Sequence, residues 1–276
     1  MGHKKAVKTS KAFLENAALP AHGKTYTVVS HKEVMDHTTK LLAKNNLKIT
    51  NQSFRSSYNA KVAQGIYHLT GTNVASDEDL GMMFAWTNSY DKSTRFQCGI
   101  GAHVLVCANG IIHGDIANYG RKHTGTANAD IALSIASQVS HAAHSYNQLI
   151  TDKNNFKNIN LSIKEQSELL GRLFIEEKLL DTQQMSCIKA EIGDPTYNYG
   201  VDPDTAWMFY NHVTHAFKQT HPRNWMSNQA KFHEFMTSEL LSNAAIQFRD
   251  TVEDEDDMEI EEDILDDNTN PNIFTL

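Results

Sequence analysis

Residues that could bind a metal ion are concentrated in the stretch HVLVCANGIIHGDIANYGRKHTG, which spans residues 103–125. It contains His103, His113, Asp115 and His123, and a metal-dependent nuclease or hydrolase uses imidazole and carboxylate ligands of this kind. If the stretch is a strand, alternation puts His113 and Asp115 on one face. The spacing matches no established metal motif, so a nuclease site of His113, Asp115 and His123 is kept as an alternative.

Motifs for nucleophilic catalysis and for nucleotide binding are missing from the sequence. It contains no G-x-S-x-G segment and no P-loop, and Gly99-Ile100-Gly101 lacks the third glycine of a dinucleotide site. Cys107 lies in an apolar run, which is typical of a packed thiol rather than a nucleophile. We therefore assign no catalytic residue and no cofactor, and we favour a protein that is not an enzyme.

Charge is distributed unevenly along the 276 residues, and this distribution indicates a different kind of chemistry. The formal net charge is -8, but residues 1–61 contain 11 basic and 3 acidic residues. The segment after Arg249 contains 12 acidic residues and no basic one. A basic front and an acidic end within one chain indicate a polyanionic partner or a solvated tail.

Aromatic residues are interspersed among the cations, which is what a single-stranded nucleic acid requires. Cations neutralise the phosphates, and flat rings stack on the unpaired bases. The residues predicted to contact nucleic acid are Arg55, Tyr58, Lys61, Tyr67, Arg95, Tyr119, Arg121 and Lys122. The cations among them would contact phosphates and the tyrosines would stack on bases. A solvated basic surface without a ligand explains the same composition equally well.

The acidic tail, residues 250–276, is too charged and too poor in aromatic residues to pack, so we predict that it is disordered. Its carboxylates resemble a polyphosphate and are expected to compete for the basic body when no nucleic acid is bound. Once displaced, the tail would be available to dock on a partner through Ile273-Phe274. A tail that only adds solubility is equally consistent with the sequence.

The elements that must position these residues are predicted from patterning. Residues 1–29 are expected to form a basic arm, and residues 30–249 a single α+β domain. A mostly antiparallel sheet of four or five strands is expected at about residues 47–117, with a hairpin turn at 88–93. Packed helices should follow it, and capping boxes at Ser30 and Ser162 predict two helix starts. The predicted helices span residues 30–45, 127–149, 162–189 with a break at Gly171, 205–219 and about 227–248.

Several stretches resemble the phage and plasmid-like proteins grouped as domain of unknown function 932. They are Asn88-Ser89-Tyr90-Asp91-Lys92-Ser93, Val104-Leu105-Val106-Cys107-Ala108-Asn109-Gly110, Arg121-Lys122-His123-Thr124, and Thr205-Ala206-Trp207 with Tyr210-Asn211-His212-Val213-Thr214. The likeness covers about residues 47–235. The chain departs from the family pattern at His103, where Arg is common, and at Tyr90, where His is usual.

The resemblance implies a protein of a phage or mobile element that is encoded near replication and recombination functions, and it transfers no catalytic residue. A strand-rich core followed by helices is also similar to phage annealing proteins, which is an analogy at the level of the fold. The expected function is therefore a non-enzymatic, single-stranded DNA-binding or annealing protein. The alternatives are the metal-dependent nuclease and a DNA-mimicking protein that binds a host factor, such as a defence protein.

The expected location is the cytoplasm of the host cell. The sequence has no run of 18 apolar residues and no secretory signal, and its three cysteines lack C-x-x-C spacing. The expected partners are single-stranded nucleic acid and, through the tail, phage or host replication and recombination proteins, with no membrane partner. A homo-oligomer and the choice between DNA and RNA are left open.

Overall fold

A six-stranded antiparallel sheet lies at the centre of the protein, in a computed structural model that describes residues 7–21, 27–112 and 127–256. The strands are β1 (Val7–Thr9), β2 (Leu47–Ser56), β3 (Val62–Gly71), β4 (Leu80–Ser89), β5 (Gln97–Val104) and β6 (Gly110–Ile112). The helices are α1 (Lys11–Glu15), α2 (His31–Lys44), α3 (Ala127–Ser140), α4 (Ala142–Asn158), α5 (Ile163–Ile175), α6 (Thr182–Gly193), α7 (Ala206–Phe217) and α8 (Pro222–Asp256). Strand order follows the chain, so the sheet is a meander. The predicted α+β class, an antiparallel sheet followed by packed helices, is confirmed.

Both predicted capping boxes are formed. The Ser30 hydroxyl accepts a hydrogen bond from the Glu33 amide at 3.0 Å, and the Glu33 carboxylate accepts one from the Ser30 amide at 2.7 Å. Ser162 and Glu165 exchange the same pair of bonds at the start of α5. Local chemistry therefore determines where these two helices begin.

Helix boundaries differ from the prediction at several places, and the last helix begins at Pro222 rather than near residue 227. The stretch 127–149 contains the end of α3 and the start of α4, so it is two helices. The predicted helix 162–189 is interrupted at residues 176–181, between α5 and α6, and not at Gly171. A glycine inside a helix costs only about 1 kcal/mol, and α5 buries Leu169 and Leu173 on either side of it. α8 continues to Asp256 into the acidic segment, since Glu is a good helix former. Residues 257–276 lie outside the described residues, so their disorder stays a prediction.

Two elements lie inside the segment predicted to be a basic arm. β1 pairs with β2, with Lys8 opposite Arg55. The Ser10 hydroxyl caps α1 by accepting a hydrogen bond from the Phe13 amide at 3.1 Å. Leu14 of α1 is 1% exposed and belongs to the main core. This part of the arm is therefore fastened to the domain.

Helices cover both faces of the sheet. On one face, Phe84 and Trp86 of β4 belong to the main core, together with side chains of α2, α3 and α4. On the other face, Met83 packs with Trp225 and Met226 of α8. Nine of the ten residues of β4 are buried as a result, so the strand does not show the alternation of a half-exposed strand. None of the described helices combines the length and apolar composition that crossing a membrane requires.

A chain of buried hydrogen bonds joins three helices behind the sheet. The His233 imidazole lies 3.1 Å from the Asp152 carboxylate through Nε2 and 3.1 Å from the Tyr210 hydroxyl through Nδ1. The three residues belong to α8, α4 and α7 respectively. Burial raises the pKa of the Tyr210 hydroxyl, so this side chain stays neutral. The network fixes how the helical layer packs.

A methyl group at Gly65 should destabilise the sheet. A Cβ at this position would lie 2.5 Å from the buried Trp86 indole, which has no room to move. We expect Gly65→Ala to lower the free energy of unfolding by about 2–3 kcal/mol. Gly171→Ala is the matched control, because a Cβ there would meet nothing within 4 Å. It should raise the stability by about 1 kcal/mol. Urea denaturation followed by tryptophan fluorescence measures both, and a Gly65→Ala protein as stable as the parent would contradict the packing described.

Two buried histidines should make the fold sensitive to acid. Burial lowers the pKa of His103 and of His212 from the ordinary 6.5 to about 4. The neighbouring His68 lowers the pKa of His103 further, whereas Glu191 raises and His215 lowers that of His212. The unfolded chain takes up protons at these positions below about pH 6.5, so stability present above that pH is lost as the pH falls towards 4.

Between about pH 7 and pH 5 we expect the free energy of unfolding to fall by about 1–2 kcal/mol for each of the two histidines. In the His103→Gln variant, the fall in the free energy of unfolding between about pH 7 and pH 5 should be smaller by the contribution of one histidine. Urea titrations across that pH range measure it, and a parent protein equally stable at both ends would contradict the burial of the two rings.

Candidate nucleic-acid interface at the hairpin end of the sheet

Two hairpin turns bring predicted residues together at one end of the sheet. The β2–β3 turn carries Tyr58 and Lys61, and the β4–β5 turn carries Arg95. Alternate turns of a meander lie at the same end, and here they touch, because the Tyr90 amide donates a hydrogen bond to the Lys61 carbonyl at 2.6 Å. We call residues 57–61 and 90–96 the hairpin end.

The hairpin end is positively charged. Lys61, Lys92 and Arg95 are exposed in its two turns, and Asp91 is the one carboxylate that these two described turns contain. Lys8, on the neighbouring edge strand β1, is also exposed. Exposed cations without a matching number of carboxylates attract anions such as phosphates.

An open groove of about 590 Å³ lies beside these turns, and we call it the tip groove. It is lined by Ser10, Ala12, Phe13, Asn16, Ala17, Ala18, Tyr58, Asn59 and Ala60. Phe13 is 46% exposed and Tyr58 is 76% exposed, so two aromatic rings of the same groove face solvent. Phe13 was not predicted to be functional, because its place in the same groove as Tyr58 depends on the tertiary fold.

Buried His31 holds the hairpin end in place. Its Nε2 lies 2.8 Å from the Ala60 carbonyl, which can only accept, so Nε2 carries the proton. Its Nδ1 accepts from Asn88 Nδ2 at 3.0 Å, and the same amide donates to the Val29 carbonyl at 3.0 Å. The His31 ring stacks on Tyr90 with centroids 3.9 Å apart, and its backbone amide donates to the Tyr90 hydroxyl at 2.7 Å. The imidazole is therefore neutral and saturated with partners.

The contact with His31 falls on a residue of unusual conformation. Ala60 has a φ of 53°, in the left-handed region that costs a residue other than glycine about 1–2 kcal/mol. The hydrogen bond from His31 helps to hold Ala60 in this conformation, which sets the direction of the turn. Asn88 and Tyr90, which come from the first of the motif stretches, thus determine where Tyr58 and Lys61 stand.

Two residues predicted to contact nucleic acid do not fit that role. Tyr67 is 1% exposed, and its hydroxyl accepts a hydrogen bond from the Trp86 indole at 3.3 Å, so a base cannot reach its ring. Gly65, Tyr67 and Leu69 are every second residue of β3, so all three lie on the face of the strand towards the main core. Arg55 is half-buried and donates to the Thr220 carbonyl, and burial lowers its pKa. Its guanidinium ties β2 to the segment before α8.

The basic front of the sequence is divided in the fold. Lys44 ends α2 and Lys48 lies near the start of β2, at the end of the sheet opposite to the hairpin end. The ten residues of β2 separate the two ends by about 30 Å. Of these two places, the hairpin end is the one that lies beside the exposed rings of Phe13 and Tyr58.

The other predicted site residues lie outside the described residues. They are Tyr119, Arg121 and Lys122 of the nucleic-acid contacts and His113, Asp115 and His123 of the alternative metal site. Their roles stay predictions. Within residues 7–21, 27–112 and 127–256, no three His, Cys, Asp or Glu side chains are grouped so that they could hold a metal ion.

The later motif stretches meet at the opposite end of the sheet. Asn109, in the β5–β6 turn, donates through Nδ2 to the backbone carbonyl of Asn211 at 3.1 Å and to its side-chain oxygen at 3.3 Å. Burial raises the pKa of the nearby Cys107 thiol, although a hydrogen bond with Tyr199 works in the other direction. A thiol with a raised pKa is a poor nucleophile. The hydrogen bonds between Asn109 and Asn211 fasten α7 to the sheet.

Replacement of His31 should loosen the hairpin end. His31→Phe keeps a ring that can stack on Tyr90, but it leaves the Ala60 carbonyl without its donor and the Asn88 amide with the Val29 carbonyl alone. We expect a loss of about 2–3 kcal/mol in the free energy of unfolding, because buried polar groups lose their hydrogen bonds. Hydrogen exchange of residues 57–62, followed by mass spectrometry, should become faster. His37→Phe, on the same helix and half-exposed, is the control and should leave that exchange unchanged. Equal exchange in His31→Phe and the parent would contradict the role of His31.

Comparison with known proteins identifies a family. Its model, described as domain of unknown function (DUF932), matches residues 18–256. Neither the curated proteins nor the solved structures contain a match to this chain. The family match covers every element from α2 to α8, including His31, the hairpin end and the Asn109–Asn211 cluster. The protein therefore belongs to the DUF932 family, as the resemblance of its motif stretches implied.

Proposed function

We propose that the protein binds nucleic acid at the hairpin end of the sheet. The observation that carries this proposal is the meeting of two turns that expose Lys61, Lys92 and Arg95 next to a groove with two exposed aromatic rings. Phosphates would lie on the cations, with Lys8 extending the positive surface along β1. Cations beside accessible rings are the combination that nucleic acids engage through backbone and base together.

The rigid support of the hairpin end favours a binding role over a merely solvated surface. His31 saturates its hydrogen bonds with Ala60 and Asn88 in the protein interior, so the turn is ordered before a ligand arrives. Binding to an ordered surface avoids the entropy cost of fixing a loop. A surface that only adds solubility needs no such support.

The acidic segment after α8 is proposed to regulate this binding. Residues 257–276 carry seven carboxylates, which would compete with phosphates for the same cations. α8 starts beside the sheet near Thr87, whose hydroxyl donates to the Pro222 carbonyl at 3.3 Å, and its 35 residues extend about 52 Å. The 20 residues that follow can span about 66 Å when extended, so they are long enough to return to the hairpin end.

We infer that this activity serves replication or recombination of a phage or mobile element, in the cytoplasm of its host. The family resemblance and the charge distribution support this role. A protein that coats or anneals strands would act without catalysis. Partner proteins of the same process would be recruited through the acidic segment once nucleic acid has displaced it.

Neutralising two cations of the hairpin end should weaken binding. For the double variant Lys61→Gln/Arg95→Gln we expect about a tenfold loss of affinity for a labelled single-stranded oligonucleotide at low salt. The negative slope of log K against log salt should become shallower by about 1.4, because each lost phosphate contact reduces its magnitude by about 0.7. Fluorescence anisotropy at several salt concentrations measures both quantities.

The control for this experiment removes the same charge elsewhere. Lys44→Gln/Lys48→Gln lies at the other end of β2 and should change the affinity less than about twofold. Equal weakening by both double variants would mean that net charge alone acts. A parent protein that binds no oligonucleotide at low salt would overturn the proposed function.

A further inference from the structure

We propose that the tip groove accommodates one unpaired nucleobase, so that the hairpin end selects single strands over duplexes. This inference rests on the nucleic-acid binding proposed above and adds the class of substrate. It concerns residues that the proposed phosphate contacts do not include, namely Phe13, Tyr58 and Asn59.

The groove has the size and the lining of a base-binding site. Its volume of about 590 Å³ falls within the range of small-molecule sites, about 300–1,000 Å³. Phe13 and Tyr58 are large side chains that remain exposed within it, and the walls between them are mostly alanine. Stacking of a base on an aromatic side chain contributes about 1–3 kcal/mol and tolerates any base. In a duplex both faces of each base are already stacked, so an unpaired base can use these rings and a paired one cannot.

Both walls of the groove are anchored in the protein interior. On the α1 side, Leu14 is buried in the main core, and the Asn16 side chain donates to the Ala12 carbonyl at 2.8 Å. On the side of the β2–β3 turn, the Ala60 carbonyl is held by His31. The backbone that carries the two rings is therefore held on both sides of the groove, which favours a stacking site for a single base.

Asn59 provides a hydrogen-bond donor at the wall of the groove. Its Oδ1 accepts from the Lys61 amide at 3.3 Å and lies 3.1 Å from the Ser57 hydroxyl. Because a backbone amide can only donate, it is Oδ1 of Asn59, and not Nδ2, that faces the Lys61 amide. Its Nδ2 is left to donate outward, and the edges of all four bases present acceptor atoms to such a donor.

Cations flank the groove on both sides. Lys61 follows directly after Ala60 in the β2–β3 turn, and Lys11 precedes Ala12 in α1. Lys11 lies 3.7 Å from Glu15 in an exposed i,i+4 pair, an arrangement that contributes little and yields easily to another anion. The phosphates on either side of a base in the groove would therefore meet Lys11 and Lys61.

The test compares single strands with duplexes of the same sequence, using the full-length protein. Affinities are measured by fluorescence anisotropy, and an oligonucleotide with one 2-aminopurine reports stacking through quenching of its fluorescence. We expect Phe13→Leu and Tyr58→Leu each to weaken single-strand binding about tenfold, to reduce the quenching, and to leave duplex binding unchanged. Phe174→Leu is the matched control, since Phe174 is a 39% exposed aromatic on α5, and it should have no effect.

Each other outcome overturns the inference. If the parent binds single strands and duplexes equally, or if Phe13→Leu and Tyr58→Leu act no more strongly than Phe174→Leu, the groove holds no base although nucleic acid still binds. A third outcome is that Phe13→Leu and Ile273→Ala/Phe274→Ala both raise the affinity for single strands. The groove would then be occupied by the end of the chain and not by a base. If no variant and no parent protein binds either form, the proposed function fails together with the inference. Circular dichroism confirms in each case that the variants are folded.

Discussion

A neutral imidazole buried between a backbone carbonyl and a side-chain amide connects the parts of this protein that are proposed to act together. His31 stands at the start of α2, and its partners Ala60 and Asn88 are 29 and 57 residues further along the chain. Because a buried polar group without a partner costs about 1–3 kcal/mol, displacing any one of the three segments from the other two is unfavourable. The exposed residues Tyr58 and Lys61 are placed by this buried network, although they take no part in it.

The covering of both sheet faces explains why the candidate interface lies at an end of the sheet. One face packs on α2, α3 and α4, and the other on α8. The part of β2 that extends beyond β1 is an irregular strand edge. The register of β2 against β3 shifts between Ile49 and Asn51, and the Asn51 side chain accepts a hydrogen bond from the Gln52 amide at 2.8 Å. Such features oppose the addition of another strand. The two turns of the hairpin end project beyond these covered faces, and Tyr58, Lys61 and Arg95 are exposed there.

Sequence patterns predicted the parts of the fold that depend on neighbouring residues. Ser30 with Glu33, and the polar turn after Asn88, act within a few positions, so their helix start and hairpin could be predicted. Tyr67 was predicted to contact a ligand at the surface, but it is buried. Both faces of β3 are covered, so the alternation of its residues did not reveal which face is the core. The place of Phe13 in the groove could not be predicted, since it depends on α1 lying beside a turn more than 40 residues away. Of the described residues that were predicted to contact nucleic acid, Tyr58, Lys61 and Arg95 are exposed at the hairpin end, whereas Arg55 and Tyr67 are not exposed.

The tip groove is assembled from two parts of the chain that have different relations to the family. Tyr58, Asn59 and their support by His31 lie inside the match to residues 18–256, whereas Phe13 precedes it. One ring is thus part of the domain, held by a network that also maintains its stability, and the other is carried on a five-residue helix fastened mainly by Leu14. Substitution at Phe13 consequently alters the groove at little cost to the fold, while substitution at His31 alters both. Because the element that completes the groove is not the element that supports it, a change at Phe13 tests the proposed base site while leaving the support of the β2–β3 turn intact.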